Sequence, residues 1–172
     1  MITEEINTKE LFSMSDATTD EFQQLVSYFS EETINETPFE GSWTAAQVAV
    51  HITKSNRSMV QGLYAAGKPA TRKLDERLPE LKTVFLDFTT KLKSPEFILP
   101  TQQTYQKDVL LTDLQDSARQ LKEASSTINL SEAMNLPALG EMTKLEMVWF
   151  TIFHTQRHIH QLKNISQKIH QQ

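Results

Sequence analysis

Thr143-Lys144-Leu145-Glu146-Met147-Val148-Trp149-Phe150-Thr151-Ile152-Phe153-His154-Thr155-Gln156-Arg157-His158-Ile159-His160-Gln161-Leu162, residues 143–162, reads as most of one long helix running on to about Ile169. Thr143 followed three residues later by Glu146 has the form of a capping box and sets its start. A separation of four residues rotates by roughly 40° net and rises about 6 Å, so His154 and His158 stand one above the other on one face. Met147, Phe150, Thr151, Gln161 and Ile165 share that face, so the two imidazoles project from a largely apolar surface. The first half is apolar nearly all round, leaving a strip near Glu146, Arg157, His160 and Asn164 for water. A helix of that kind is buried on more than one side. It is either the centre of a bundle or the seam of a symmetric homodimer, and we expect a dimer because so large an apolar surface is unusual on a monomer.

A second helix supplies a third imidazole. Thr44 with Gln47 forms another capping box, and Trp43 before it can pack back on the first turn as a hydrophobic staple. From there to about Ala66 the residues Val48, His51, Ile52, Ser55, Met59, Gly62 and Leu63 lie on one side, with Lys54, Arg57 and Gln61 opposite. His51 therefore faces inward. Ser55, Ser58 and Gly62 leave space beside it where a packed core would carry Leu or Ile, or else permit close helix contact.

The remaining segments are helical or irregular. Residues 1–17 are polar and predict a loosely ordered end or short docking segment. Thr18 with Glu21 predicts the start of a helix carrying Phe22, Leu25, Val26 and Phe29 and reaching about Glu36, with Pro38 and Gly41 beyond it. Leu74, Leu78, Leu81, Phe85, Phe88 and Leu92 are spaced as a seam for one neighbour and predict a further helix, which Ser94-Pro95 ends. Residues 95–107 form an irregular crossing. A helix from Val109 or Thr112 to Ile128 follows, with Leu114, Ala118, Leu121 and Ser125 inward, and Pro137 and Gly140 mark a loop before the last helix.

The 172 residues suit a single domain, 1–172, and 4 Gly with 6 Pro and no alternating β pattern favour an all-α fold. Cysteine is absent, which removes disulfides, thiolate ligands and a cysteine nucleophile. With 17 basic against 22 acidic residues, a net charge of -5 and no basic block, nucleic acid is not an expected partner. No apolar run approaches the roughly 20 residues of a membrane span, and the acidic first ten residues lack the form of a signal peptide. A cytoplasmic location is the expectation.

Three neutral imidazoles on two packed helices are a ligand set for a divalent ion that keeps an open position. The set suits zinc or nickel first, with iron, manganese or cobalt as further options. A histidine-lined core without metal satisfies the same spacing. Two other patterns are excluded by single positions. Thr155 follows His154, so the His-Glu-x-x-His of zinc peptidases is missing, and neither histidine has a glutamate three residues before it as in di-iron bundles. Gln161, one turn below His158, is placed either to orient a ligand or to be a satisfied buried amide. Arg157 faces away from the pair and is read as a surface or dimer ion-pair partner. His160 and His170 carry no assigned role.

The segment Trp43-Thr44-Ala45-Ala46-Gln47-Val48-Ala49-Val50-His51-Ile52 resembles the first metal motif of the DinB-like superfamily. Pro137 to Thr143, followed by Phe153-His154-Thr155-Gln156-Arg157-His158, is similar to its closing motif, in the right order and about a hundred residues on. The resemblance implies a four-helix bundle, often dimeric, with one additional helix here in the long connection between bundle helices two and three. It implies a metal held by His51, His154 and His158. It further implies a metal-dependent hydrolase, or an S-transferase for a low-molecular-weight thiol, acting on a small-molecule substrate. A non-catalytic metal-binding or stress-related bundle is the alternative.

Overall fold

In the computed structural model, which describes residues 6–171, both inferred capping boxes close on the backbone. Thr44 accepts from Gln47 N while Gln47 accepts from Thr44 N, each at 3.1 Å. Thr143 and Glu146 repeat the exchange at 3.1 and 3.0 Å. Each reciprocal pair satisfies two amides that a helix start would otherwise leave bare. The four long helices are α1 (Thr8–Tyr28), α2 (Ala45–Tyr64), α4 (Lys107–Thr127) and α5 (Lys144–His170). The short α3 (Leu78–Phe85) lies in the connection between the second and third of them. The fold is a four-helix bundle with one added helix.

The order around the bundle is not the order along the chain. Helices α1 and α2 each pack on both α4 and α5, so α5 is seated between α1 and α2, and α3 covers another of its sides. This arrangement uses the all-round apolar surface of α5 within the chain. Only Trp149 of its first apolar half stays partly exposed, stacked on Phe153. The ground on which a dimer was expected is therefore taken up by α1, α2, α3 and the strands below.

Apolar packing divides into two clusters. One joins Phe22, Val26, Val48, Ile52, Leu114, Ile159 and Ile165; the other joins Leu11, Met59, Leu63, Leu121, Met147, Ile152 and Phe153. Along α2 the first cluster ends at Ile52 and the second begins at Met59; along α5 the second ends at Phe153 and the first resumes at Ile159. Thr53, Ser55 and Asn56 on α2 and His154, Thr155 and His158 on α5 fill the interval with buried polar side chains, and His51 adjoins it at the end of the first cluster. A polar layer thus crosses the middle of the bundle.

Several boundaries differ from those read in the sequence. Helix α1 starts at Thr8, capped by Asn7, whose side chain accepts from Glu10 N at 3.2 Å, and Thr18 is buried in mid-helix. Of the segment expected to be loose, residues 1–5 lie outside the described residues, while Leu11 is fully buried and anchors the first turns. The helix ends at Tyr28, not near Glu36, where Ser30 and Thr33 bond each other's backbone and side chain instead of continuing it. Helix α3 is much shorter than its seam: Asp87 accepts from Thr89 N, Thr89 Oγ1 and Thr90 Oγ1, a turn that stops the helix and leaves Phe88 and Leu92 exposed.

The loop marked by Pro137 and Gly140 is a hairpin. Strand β2 (Glu132–Leu136) pairs antiparallel with β3 (Gly140–Thr143), and β1 (Lys68–Pro69) adds to the outer edge of β2. Gly140 and Ala138 sit at φ 73° and 67°, where the chain reverses. Glu146, read as solvent-facing, is wholly buried: Arg72 donates to its two oxygens at 2.8 Å each, and Arg77 N adds a third bond at 2.8 Å. One carboxylate therefore caps α5 and pins the 72–77 segment to it. Replacing Glu146 by Ala should remove the cap and leave the Arg72 guanidinium without its partner, at a cost of about 3–5 kcal/mol. Urea denaturation measures it, and a loss below about 1 kcal/mol, no more than a cap alone provides, would refute the pinning role.

Candidate metal centre

His51 reaches the polar layer from the second turn of α2, and His154 and His158 reach it from the middle of α5. His154 Nε2 lies 3.0 Å from His51 Nε2 and 3.2 Å from His158 Nε2. One ligand atom from each ring falls within 4.8 Å of the others, and all three residues are buried. The two short separations match the roughly 3.0–3.4 Å between neighbouring ligand nitrogens on an ion with bonds of about 2.1 Å.

The far sides of the rings explain what the near sides offer. His51 Nδ1 donates to Ile98 O at 2.9 Å, and His158 Nδ1 donates to Gln161 Oε1 at 2.7 Å. A carbonyl oxygen can only accept, so both rings carry their proton on Nδ1 and turn a bare Nε2 inward. His154 Nδ1 meets Ser55 Oγ at 3.3 Å. At most one of the three Nε2 atoms, that of His154, can bear a hydrogen, and it can serve only one neighbour at a time, so at least one pair of lone pairs is left opposed across the centre. A cation resolves that repulsion. The outer bonds are also the kind that orient metal-binding imidazoles, so the donor set fits a divalent ion.

Aromatic rings fix the imidazoles further. Trp43 lies 5.1 Å from His51, centroid to centroid, so the residue read as a staple also backs the first histidine. Phe150 stacks on His154 at 5.2 Å, and Phe85 meets the same ring edge-on at 6.0 Å. Burial holds all three histidines below their ordinary pKa. For His51 the bond to Ile98 opposes the effect; His154 is pushed well down with help from His158 and His51; His158 is pushed down to about 3.

Two cavities open onto the centre. One of about 350 Å³ has Ser55, His154 and His158 in its wall, and one of about 430 Å³ has Trp43, His158 and Gln161. They share Leu92, Lys93, Ser94, Arg157 and His158. Arg157, read from the sequence as a surface or dimer ion-pair partner, feels the nearby Asp87 carboxylate but bonds backbone carbonyls within the chain. Its guanidinium donates to the carbonyls of Phe85, Asp87 and Thr90, fastening the segment after α3 beside the histidines. Ile98, from a 3-10 turn at Glu96–Ile98 in the irregular crossing, is the partner that sequence reading missed. No residue type marks a backbone acceptor, so no signal was available for it. Gln161 was legible from its spacing. His160 stacks on Phe88 at 4.1 Å, and His170 bonds Ser166 O; neither joins the three.

This combination, a helical bundle with an open three-histidine centre at mid-height, defines the class. The family model described as the DinB superfamily matches residues 14–162, and the chain belongs to that superfamily. An uncharacterized Bacillus subtilis (strain 168) protein, YuaE, is 27% identical over 147 residues, covering 81% of this chain and 87% of YuaE. Among solved structures, YfiT from Bacillus subtilis is similar in fold, with a TM-score of 0.65 at 15% identity, covering 98% of this chain and 93% of YfiT. YfiT is described as a probable metal-dependent hydrolase with an unusual four-helix bundle topology. Among the described residues no helix is long and apolar enough to cross a membrane.

The depressed histidines make metal-free protein sensitive to acid. Unfolded imidazoles take up protons as pH falls through about 6.5, while the folded ones stay neutral, His158 down to about 3. Stability is complete above pH 6.5 and declines below it. By pH 5 the loss should be about 2 kcal/mol for each histidine that stays neutral. Urea midpoints of chelator-treated protein between pH 7.5 and 5 test this; an unchanged midpoint would mean that the folded rings accept protons freely.

Proposed function

We propose that this protein is a metal-dependent enzyme, a hydrolase or a low-molecular-weight-thiol S-transferase, in which His51, His154 and His158 hold a divalent ion, zinc or nickel first. The observation that carries the reading is the meeting of three inward-turned Nε2 atoms at the base of open cavities. A centre serving stability alone would be closed, with no room for a reactant beside its ligands. A divalent ion in such a centre lowers the pKa of water or of a thiol toward neutrality and so supplies a nucleophile.

The chain's own groups do the positioning. Ile98 O and Gln161 Oε1 keep protons on the outer nitrogens of His51 and His158, so both inner nitrogens stay available. Ser55 Oγ lies 3.3 Å from His154 Nδ1, and when its hydroxyl accepts there the proton of His154 is held on the outer nitrogen as well. Phe150 and Phe85 pack on the His154 ring and hold it in place. With no cysteine in the chain, a thiol would come from a cosubstrate.

The shared wall of the two cavities favours transfer between two molecules over hydrolysis, because each can hold one reactant against His158. Metal-loaded protein should convert a halogenated aromatic acceptor in the presence of a low-molecular-weight thiol. Ester and amide substrates test the hydrolase reading in parallel. Lack of metal-dependent turnover on all of them would leave a non-catalytic metal-binding protein.

Two variants test the ligand assignment itself. His154→Ala should abolish stoichiometric metal binding, read by elemental analysis, while the helical circular dichroism persists because α5 is held by its other faces. Metal bound as tightly as by the unaltered chain would remove His154 from the set. Gln161→Leu should weaken metal affinity by about 10–100-fold through the lost orientation of His158. An unchanged affinity in a competition titration would make Gln161 a mere packing residue.

A further inference from the structure

The cavity of about 350 Å³ is bounded by α2, α3, the tip of the β2–β3 hairpin and the 92–98 segment, with His154 and His158 in its wall. Its volume lies at the lower end of the roughly 300–1,000 Å³ that holds small-molecule ligands. The wall is mainly apolar. Phe85 and Phe150 meet edge to face at 5.0 Å, and Phe150 in turn stacks on His154, so an aromatic surface leads directly to the centre. Leu139 stands in the hairpin tip, and Val84 and Phe97 form part of the wall while 40% and 55% exposed.

The charged groups in that wall are mostly engaged elsewhere. Glu80 pairs with Arg77 at 3.2 Å, and the Arg157 guanidinium is spent on three backbone carbonyls. Lys93 lies on the partition shared with the other cavity. That neighbour adds Lys91, Gln161 and Asn164 to a lining that also holds Phe39, Trp43 and Phe88. Away from Lys93, a charged ligand in the cavity would lose hydration without gaining a partner, whereas an uncharged ring gains apolar contact and aromatic edges along most of the wall.

We propose that this cavity is the subsite for an uncharged aryl or short alkyl body of the substrate, whose reacting end is directed at His154 and His158. The placement of the reacting end rests on the function proposed above; binding of the apolar body does not. The substrate class is thereby an apolar electrophile. Phe85, Phe97, Val84 and Leu139 would decide its size and shape.

The test is fluorine NMR titration of para-trifluoromethylbenzyl alcohol, a neutral aryl probe, into chelator-treated and into zinc-loaded protein. Saturable binding is expected in both. In the chelator-treated state, para-trifluoromethylbenzoate should bind more weakly than the alcohol. Phe97→Asp and Val84→Asp, both at partly exposed positions that the fold can spare, should each weaken the alcohol by about tenfold. No saturable binding in either state, or undiminished binding in both variants, would overturn the proposal. Zinc content is measured separately, so aryl binding without zinc binding would sink only the metal reading, and zinc binding without aryl binding only this one.

Discussion

Three neutral imidazoles, turned so that their Nε2 atoms face one another inside a bundle, are the constraint that the surrounding architecture serves. Such a group is unfavourable by itself, because buried polar atoms lose hydration and like-oriented lone pairs repel. It persists because an apolar cluster lies on each side along α2 and α5, and because Ile98 O, Gln161 Oε1 and Ser55 Oγ occupy the outer nitrogens. Among the described residues no buried side-chain polar atom is left without a hydrogen-bond partner. At the centre of the polar layer, however, the three Nε2 atoms have only one another as partners.

The bundle order follows from the same requirement. Helices α2 and α5 must be neighbours for His51 to meet His154, and α5 can lie between α1 and α2 only if it is apolar on several sides. Its sequence from Leu145 to Phe153 supplies that surface. The outer elements then shape access. Glu146 gathers Arg72 and Arg77, which bring the chain before α3 against the hairpin, and Arg157 holds the chain after α3. Between these anchors α3 places Phe85 beside His154, so the Arg72–Glu146 ion pair and the carbonyl bonds of Arg157 together set the walls of the cavities.

Local patterns were legible where the interaction was local. The Thr44/Gln47 and Thr143/Glu146 boxes, the inward face of α2 and the stacked pair on α5 all involve residues within one or two helical turns, whose mutual geometry the helix itself dictates. The same logic misled where a competing contact was distant. Thr18 and Glu21 have the form of a cap, yet Leu11 buries against the second cluster and carries the helix back to Asn7. A local competitor misled as well: the Leu74–Leu92 seam has helical spacing, yet Asp87, bonded to Thr89 and Thr90, interrupts it. Glu146 looked solvated because its partner Arg72 is distant in the chain.

The amino-acid order alone determined that the chain would be helical, where two of its long helices begin, and that three histidines lie on inward faces, because these depend on spacing and on groups a few bonds apart. Tertiary structure alone decided that those faces meet, that Ile98 and Ser55 hold the outer nitrogens, that residues 132–143 pair as a hairpin, and that Arg157 turns to backbone carbonyls. Each of these is a contact between segments far apart in sequence. Which partner wins such a contact depends on how the entire bundle packs, and no short stretch of residues contains that information.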